Sequence, residues 1–277
     1  MKLKFTKMHG LGNDFIVADN RSSGLLKLSQ LSKKLCDRRF GIGADQLLLL
    51  EKSGRADFKM RIFNADGSEV EMCGNGIRCL ATYIWDNKLT AGRHNGSTLT
   101  VETLAGIIKP RKSGDLVEVD MGEPVLEGEK IPVTVKGRVI NHPLKLKKDT
   151  FNITCVSMGN PHAVIVVNDV TSVPLDSWGP AIETHALFPE KTNVEFIQIK
   201  NSRNIQMRVW ERGAGETLAC GTGASAAGVA SVLLGLTKRS VHVHLPGGRL
   251  LIEWNAEDNH VYMTGPAEKV YEGVIEI

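Results

Sequence analysis

The chain has no long hydrophobic run. No stretch approaches the ~18 apolar residues that a membrane-spanning helix needs, and the opening "KLKFTK" is too charged for the apolar core of a signal peptide. Both features predict a cytoplasmic protein with no membrane partner. Charge of one sign is missing as well. The 277 residues carry 34 basic and 31 acidic side chains, a formal charge of +3, and the basic residues form no long block. No nucleic-acid partner is expected from that balance. A disulfide framework is lacking too. Five cysteines cannot all pair within the chain, and their separations do not resemble a dense secreted pattern. Cys36, Cys79 and Cys155 read as buried free thiols in a reducing compartment. Metal-ligand spacing is also absent. Cys73 and Cys79 lie six apart, with no second close cysteine pair and no HExxH to complete a set. His242 and His244, alternating in "VHVHL", supply only two ligands. No metal is expected.

What the chain does have is alternation. The 42% apolar content allows a large core, as one domain or as two of ordinary size. "KLKFTKM", "HGLGND" and "FIVAD" read as strand, turn and strand, and "LSQLSKKLCDRR" has helical spacing up to "FGIG". "DQLLLLEKS" and "DFKMRIFNADG" read as strands, and "EVEMCGNG" leads into a helix over "IRCLATYIWDNKL". The second half repeats the plan. "NITCVSMGNPHAVIVV" is strand, turn and strand, and "WGPAIETHALFP" is a short helix. "TNVEFIQIK" and "NIQMRVWERGAG" are strands, and "ETLACGTG" leads into the small-residue helix "ASAAGVASVLLG". Many alternating segments and few helices predict an α+β fold with antiparallel or mixed sheets.

The halves also match residue by residue. "MRIFNADGSEVEMCGNG" and "MRVWERGAGETLACGTG" place Met60, Arg61, Glu69, Cys73, Gly74 and Gly76 against Met207, Arg208, Glu216, Cys220, Gly221 and Gly223, 147 positions on. The same offset sets Gly12-Asn13 on Gly159-Asn160 and Gln46 on Asn193. A repeat of this length is a duplicated domain. Each copy carries a Cys-Gly-x-Gly turn before a helix. There a thiol lies beside backbone N–H groups that favour a thiolate or a bound carboxylate. A single such turn is as well explained by a buried cysteine at a tight bend. Two of them, meeting across one cleft, suit stereochemical inversion. One thiolate removes an α-proton from one face, and the opposite thiol returns a proton to the other. Backbone donors at Gly74, Asn75, Gly221 and Thr222 would hold the developing enolate-like charge. His162 and Glu211 are candidates to tune the thiols. Asn13, Gln46, Asn64, Asn160 and Asn193 fall near turns or strand ends, as binding groups or as plain turn residues. Glu211-Arg212 replaces Asn64-Ala65 at the duplicated position, and an asymmetric ligand would demand such divergence. Arg212 can grip a carboxylate as a fork and Glu211 can receive an ammonium group.

These residues resemble the diaminopimelate epimerase family over essentially the whole chain. "KFTKMHGLGNDF", "FNADGSEVEMCGNGIRCLA", "VSMGNPHAV", "NVEF" and "WERGAGETLACGTGASA" stand in the family's order. The resemblance implies interconversion of LL- and meso-diaminopimelate by two bases, without a cofactor. It implies Cys73 and Cys220 as the catalytic pair, with Cys220 the proton acceptor in the LL-to-meso direction and Cys73 the donor. It implies Gly74-Asn75 and Gly221-Thr222 as the cradle of the reacting carboxylate. Asn64, Asn160, Asn193 and Arg212 would read the distal head. Asn13, Gln46 and Glu211 would touch substrate, and His162 and Glu211 would adjust thiol protonation. The implied fold is two pseudo-symmetric α+β domains, each with strands around a central helix, at 1–120 plus 264–277 and at 121–263, with the active-site cleft between them. A homodimer is implied as well. Three alternatives stay open on the residues alone. They are a cysteine racemase for another amino acid, a cysteine hydrolase using Cys73 or Cys220 with His162, and a scaffold in which the twin turns only shape packed helices.

Overall fold

The computed structural model describes residues 1–90, 96–147 and 149–277. The chain forms two compact units, Met1–Val119 with Thr264–Ile277, and Asp120–Met263.

The first unit holds β1 (Lys2–Gly10), β2 (Asn13–Asp19), β3 (Gln46–Glu51), β4 (Phe58–Asn64), β5 (Glu69–Val70), β6 (Val101–Thr103) and β7 (Gly106–Ile108), with α1 (Leu28–Cys36) and α2 (Gly74–Asp86). A hairpin of β8 (Arg111–Ser113) and β9 (Leu116–Asp120) leads onward. The second unit holds β10 (His142–Lys145), β11 (Thr150–Ser157), β12 (Pro161–Val166), β13 (Asn193–Asn201), β14 (Asn204–Glu211), β15 (Gly215–Thr217), β16 (Ser240–Leu245) and β17 (Gly248–Trp254), with α3 (Leu175–Glu183) and α4 (Gly221–Leu233). After β18 (Val261–Gly265), the last strand β19 (Glu268–Glu276) returns to pair antiparallel with β1.

The two sheets share a seven-strand path. In the first the order is β19-β1-β2-β3-β4-β6-β7, and in the second β10-β11-β12-β13-β14-β16-β17, which continues into β18-β9-β8. Parallel pairs fall in the same places, at β2/β3 and β4/β6 and at β12/β13 and β14/β16. The architecture is the expected mixed α+β duplication, rich in sheet and poor in helix.

Why each unit buries a helix is visible in β3. Its "QLLLLE" has four consecutive leucines, all fully buried. A strand shows alternate residues to opposite faces, so such a run needs both faces covered. Leu47 and Leu49 join the cluster that includes Leu35 and Cys36 of α1. Leu48 packs against Gly76 of α2 on the other side. In β13, Val194 and Phe196 likewise join the cluster around Leu175 and Ile182 of α3. Glu195 then points to α4.

Helix α4 fits because it is narrow. Its buried side includes Gly223, Ala224, Ser225, Ala226, Ala227, Gly228, Ala230 and Ser231. A Cβ on Gly228 would stand 2.7 Å from a methyl carbon of Ile252 and 3.2 Å from its Cβ, so β17 approaches closer than alanine permits.

Four helix boundaries differ from the sequence reading. Helices α2 and α4 begin at Gly74 and Gly221, inside the glycine turns, because each cysteine already serves as the N-cap. Helix α3 begins at Leu175, not Trp178, with Asp176 in its first turn. Pro180 lies inside the helix, where it lacks the N–H that would bond back one turn, and so hides that start from propensity. Helix α1 stops at Cys36, where Asp37 takes an extended conformation and its carboxylate accepts from Arg39 and Phe40 N–H.

The buried thiols couple the fold to alkaline pH. Burial pushes the Cys36 and Cys79 thiols up, and burial with Glu195 nearby pushes Cys155 up to about 12. A thiol raised in the folded state favours folding while it is protonated. That contribution is complete below the ordinary thiol value of 9.0 and is lost as pH climbs from there towards 12. Thermal melts will therefore fall steeply between pH 9 and 12, on the order of 1 kcal/mol per pH unit for one such thiol. Cys155→Ala will flatten that slope, and an unchanged slope would contradict the assignment.

Candidate active site

In the first unit Cys73 takes an extended conformation, φ −140° and ψ 116°, as the N-cap of α2. Its Sγ accepts the Gly76 N–H at 3.4 Å, and its carbonyl accepts from Ile77. The sulfur thus occupies the place a serine or aspartate oxygen takes at other helix starts. Gly74 and Asn75 form the first turn, whose N–H groups have no partner within a helix.

Asn13, the first residue of β2, faces this turn. Its Nδ2 donates to Asp45 at 2.9 Å, which directs Oδ1 inward. Oδ1 accepts from Asn75 Nδ2 at 3.2 Å and lies 3.8 Å from Cys73 Sγ. Gln46 opens β3 and Asn64 closes β4, opposite in register. Gln46 Nε2 donates to Asn64 Oδ1 at 2.8 Å, and Asn64 Nδ2 donates to Ser68. Gln46 Oε1 is buried with no hydrogen-bond partner, a spare acceptor.

Arg78 sits beneath the turn, fully buried. It donates to Gly74 O (3.1 Å), Asn75 Oδ1 (2.8 Å) and Pro266 O (3.1 Å). One guanidinium thus fixes the cysteine turn, its asparagine and the returning C-terminal segment.

In the second unit Cys220 caps α4 in the same way. Its φ is −124° and its ψ 115°, and Sγ accepts the Gly223 N–H at 3.4 Å. Thr222 Oγ1 lies 3.5 Å from the sulfur, and Gly221 and Thr222 form the first turn. Glu211 ends β14 and accepts from Thr217 Oγ1 at 2.5 Å, and its carboxyl acts on the Cys220 side chain nearby. Burial pushes the Glu211 carboxyl up, against the pull of Thr217 and Cys220. Burial also pushes the Cys220 thiol well up, followed by the Glu211 and Glu195 carboxylates, while Thr222 and the Gly223 N–H pull it down.

His162 is fully buried on β12. Its Nδ1 meets Glu195 Oε1 at 2.7 Å, and its Nε2 meets Asn160 Oδ1 at 2.9 Å. Asn193 opens β13, donates to Pro161 O and accepts the Arg212 N–H at 2.9 Å. Arg212 Nη1 reaches Glu190 O at 3.0 Å.

The predicted residues therefore gather in two sets. Asn13, Cys73, Gly74 and Asn75 are joined in one network, with Gln46 and Asn64 paired at neighbouring strand ends. Asn160 and His162 are joined, Glu211 is joined to Cys220 with its Gly221-Thr222 turn, and Asn193 is joined to Arg212. Sequence reasoning missed Arg78, Asp45 and Glu195. At the 147-residue offset Arg78 falls on Ser225 and Glu195 on Leu48, so divergence between the copies was the available signal. His242 and His244 stay apart from this chemistry, with His244 bonded to Asn204. Among the described residues no cluster of three or more His, Cys, Asp or Glu could hold a metal ion, and no helix is long and apolar enough to cross a membrane.

The family profile described as Diaminopimelate epimerase matches residues 5–127 and 154–270. A diaminopimelate epimerase of Methanococcus maripaludis (strain C5) is 53% identical over 281 residues, covering 99% of this chain and 100% of the relative. One from Moorella thermoacetica is 54% identical, covering 98% of each chain. Among solved structures, a phenazine biosynthesis protein of the PhzF family from Bacillus anthracis has a TM-score of 0.73 at 16% identity, covering 100% of both chains. A hydroxyproline epimerase from Agrobacterium vitis with bound trans-4-hydroxy-L-proline has a TM-score of 0.70 at 15% identity, covering 99% of this chain and 92% of that one. The structural likenesses concern the fold. The sequence matches span both copies of the duplication, and with them the chain belongs to the diaminopimelate epimerase family.

Proposed function

We propose that the protein is an amino-acid epimerase that interconverts LL- and meso-2,6-diaminopimelate by a two-base thiol mechanism without a cofactor. The observation that carries this is the pair of N-cap cysteines, one in each copy, each with its sulfur on a first-turn N–H. A single nucleophile would leave the second capped thiol unexplained, which disfavours a hydrolase.

The chemistry follows from the two surroundings. The substrate's reacting carboxylate takes the first-turn N–H groups at Gly74-Asn75 and Gly221-Thr222. These donors strengthen as negative charge spreads from the α-carbon into the carboxylate. The α-ammonium pairs with Glu211. Before binding, the Glu211 and Glu195 carboxylates help keep Cys220 a thiol. An ammonium against Glu211 offsets one of those charges and eases ionisation of Cys220. Cys220 then takes the α-proton of the LL substrate, and Cys73 delivers a proton to the opposite face. The reverse reaction exchanges the roles. His162 and Glu211 set the protonation of the thiols, and Asn13 and Gln46 line the reacting end. Asn64, Asn160, Asn193 and Arg212 read the distal amino-acid head.

We further propose a cytoplasmic homodimer. The edge strand β19 exposes Val270, Tyr271 and Val274, and an open apolar edge is a template for pairing with a second copy. The substrate assignment is tested by initial rates on LL-diaminopimelate, proline, hydroxyproline and glutamate. Turnover of LL-diaminopimelate alone is expected. Comparable turnover of all four would return the protein to a general cysteine racemase.

A further inference from the structure

The duplication diverges under one of its two cysteines. In the first unit Gly76 of α2 packs on Leu48, whose methyls would stand 3.3 and 3.5 Å from a Cβ there. In the second unit the same position brings a carboxylate. A Cβ on Gly223 would meet Glu195 Oε1 at 2.8 Å. Glu195 is fully buried, and so is His162, its partner at 2.7 Å. At the 147-residue offset this pair replaces Phe15 and Leu48. An apolar pair has therefore become an ionisable one against the first turn of α4.

Fold stability gives no reason for this exchange. Buried ion pairs seldom beat apolar packing of similar size, and the first unit shows that the apolar version folds. One carboxylate oxygen, Glu195 Oε2, is buried with no hydrogen-bond partner. An orphaned buried acceptor costs about 1–3 kcal/mol, so a use for it at the Cys220 turn is indicated.

We infer that Glu195 is a positioning residue: it fixes the His162 ring through Nδ1 and, from beneath the first turn of α4, favours the proton on Cys220 whether or not substrate is bound. Nδ1 is held by Glu195 Oε1 and Nε2 by Asn160 Oδ1, so the ring is fixed at both nitrogens. The other groups around Cys220 in this unit fit that division of labour. Helix α4 packs on β11, β12, β13, β14, β16 and β17. From β14 comes Glu211, from β12 His162, and from β11 the Cys155 thiol, which also feels Glu195. Strands β16 and β17 bury Val241, Val243, Leu250 and Ile252, while His242, His244, Arg249 and Glu253 alternate to the other face. Arg208 is tied to Glu216. Glu211 is placed to meet the substrate's ammonium. Glu195, locked to His162, is the anion that binding does not neutralise directly.

The inference rests on Cys220 being a working thiol, as proposed above. Its test reads the thiol itself, so it can fail while the epimerase assignment stands, and the reverse. The full-length protein is alkylated with iodoacetamide across pH 6–11, and Cys220 and Cys73 are followed separately by peptide mass. In Glu195→Gln, which keeps the shape and removes the charge, the Cys220 midpoint is expected to fall by about one pH unit. Alkylation below both midpoints then rises roughly tenfold. Cys73 should keep its midpoint. Glu195→Asp, which keeps the charge and shortens the arm, should move Cys220 less than half as far. If Glu195→Gln does not fold, Glu195→Leu, which copies Leu48, serves in its place with the same expected fall. A Cys220 midpoint unmoved in the folded neutral variant would overturn the inference. So would an Asp variant that shifts it as much as the Gln variant does.

Discussion

Cys73→Ala and Cys220→Ala will each reduce kcat/KM for epimerisation by roughly 10³–10⁴-fold, the scale of a lost general acid or base. The double variant will lose little more than either single one. In the proposed mechanism both thiols act in one proton relay, and removing one member of a unit already stops the unit. On that mechanism either loss blocks both directions, because each direction would use one cysteine as base and the other as acid. Chiral analysis of the products at early times is the check. A single variant that still epimerises within tenfold of the parent would remove that cysteine from the mechanism. The fold should largely survive, since each sulfur's part in capping its helix is a 3.4 Å contact with a first-turn N–H. A lost N-cap costs about 1 kcal/mol.

Replacing Arg78 will show the opposite balance, with a large effect on stability first. Arg78→Leu removes the donors to Gly74 O, Asn75 Oδ1 and Pro266 O inside a fully buried site. Buried acceptors left without donors cost about 1–3 kcal/mol each. The expected loss is about 3 kcal/mol or more, read as a fall in thermal midpoint of roughly 6–12 °C. Activity will fall as well, because Asn75 loses the bond that holds it against Asn13 and the Cys73 turn. Arg78→Lys will rescue little. One ammonium cannot reproduce a fork spread over a helix turn, an amide and a distant carbonyl. A Leu variant melting with the parent would show that the guanidinium does not anchor the turn.

Much of this architecture was legible before any coordinates. The 147-residue offset that matches Cys73 with Cys220 also carries α1 onto α3 and α2 onto α4 residue for residue, 28–36 onto 175–183 and 74–86 onto 221–233. Alternation marked strands such as β16, which buries one face, and a continuous apolar run marked β3, which buries both. The helix starts were not legible where the signal was a cysteine. Thiols are uncommon caps, and glycine runs lower helix propensity without forbidding a first turn. The polar residues were visible because they sit at strand ends, Asn13, Gln46 and Asn193 opening strands and Asn64 and Glu211 closing them. Arg78 and Glu195 were hidden for the same physical reason. Each lies within a regular element, and periodicity reports which side a residue faces, not whether its charge is buried with a partner. Comparing the copies would have exposed them, since Arg78 replaces a serine and Glu195 a leucine of the other half.

The central claim is that two thiols exchange protons with one carbon. It is tested most directly by running LL-diaminopimelate in deuterium oxide and stopping at low conversion. Two bases predict one solvent deuteron at the inverted centre of the meso product, with recovered LL substrate almost unlabelled. Product formed without solvent deuterium, or substrate labelled as fast as product appears, would contradict the assignment of separate acid and base to Cys73 and Cys220.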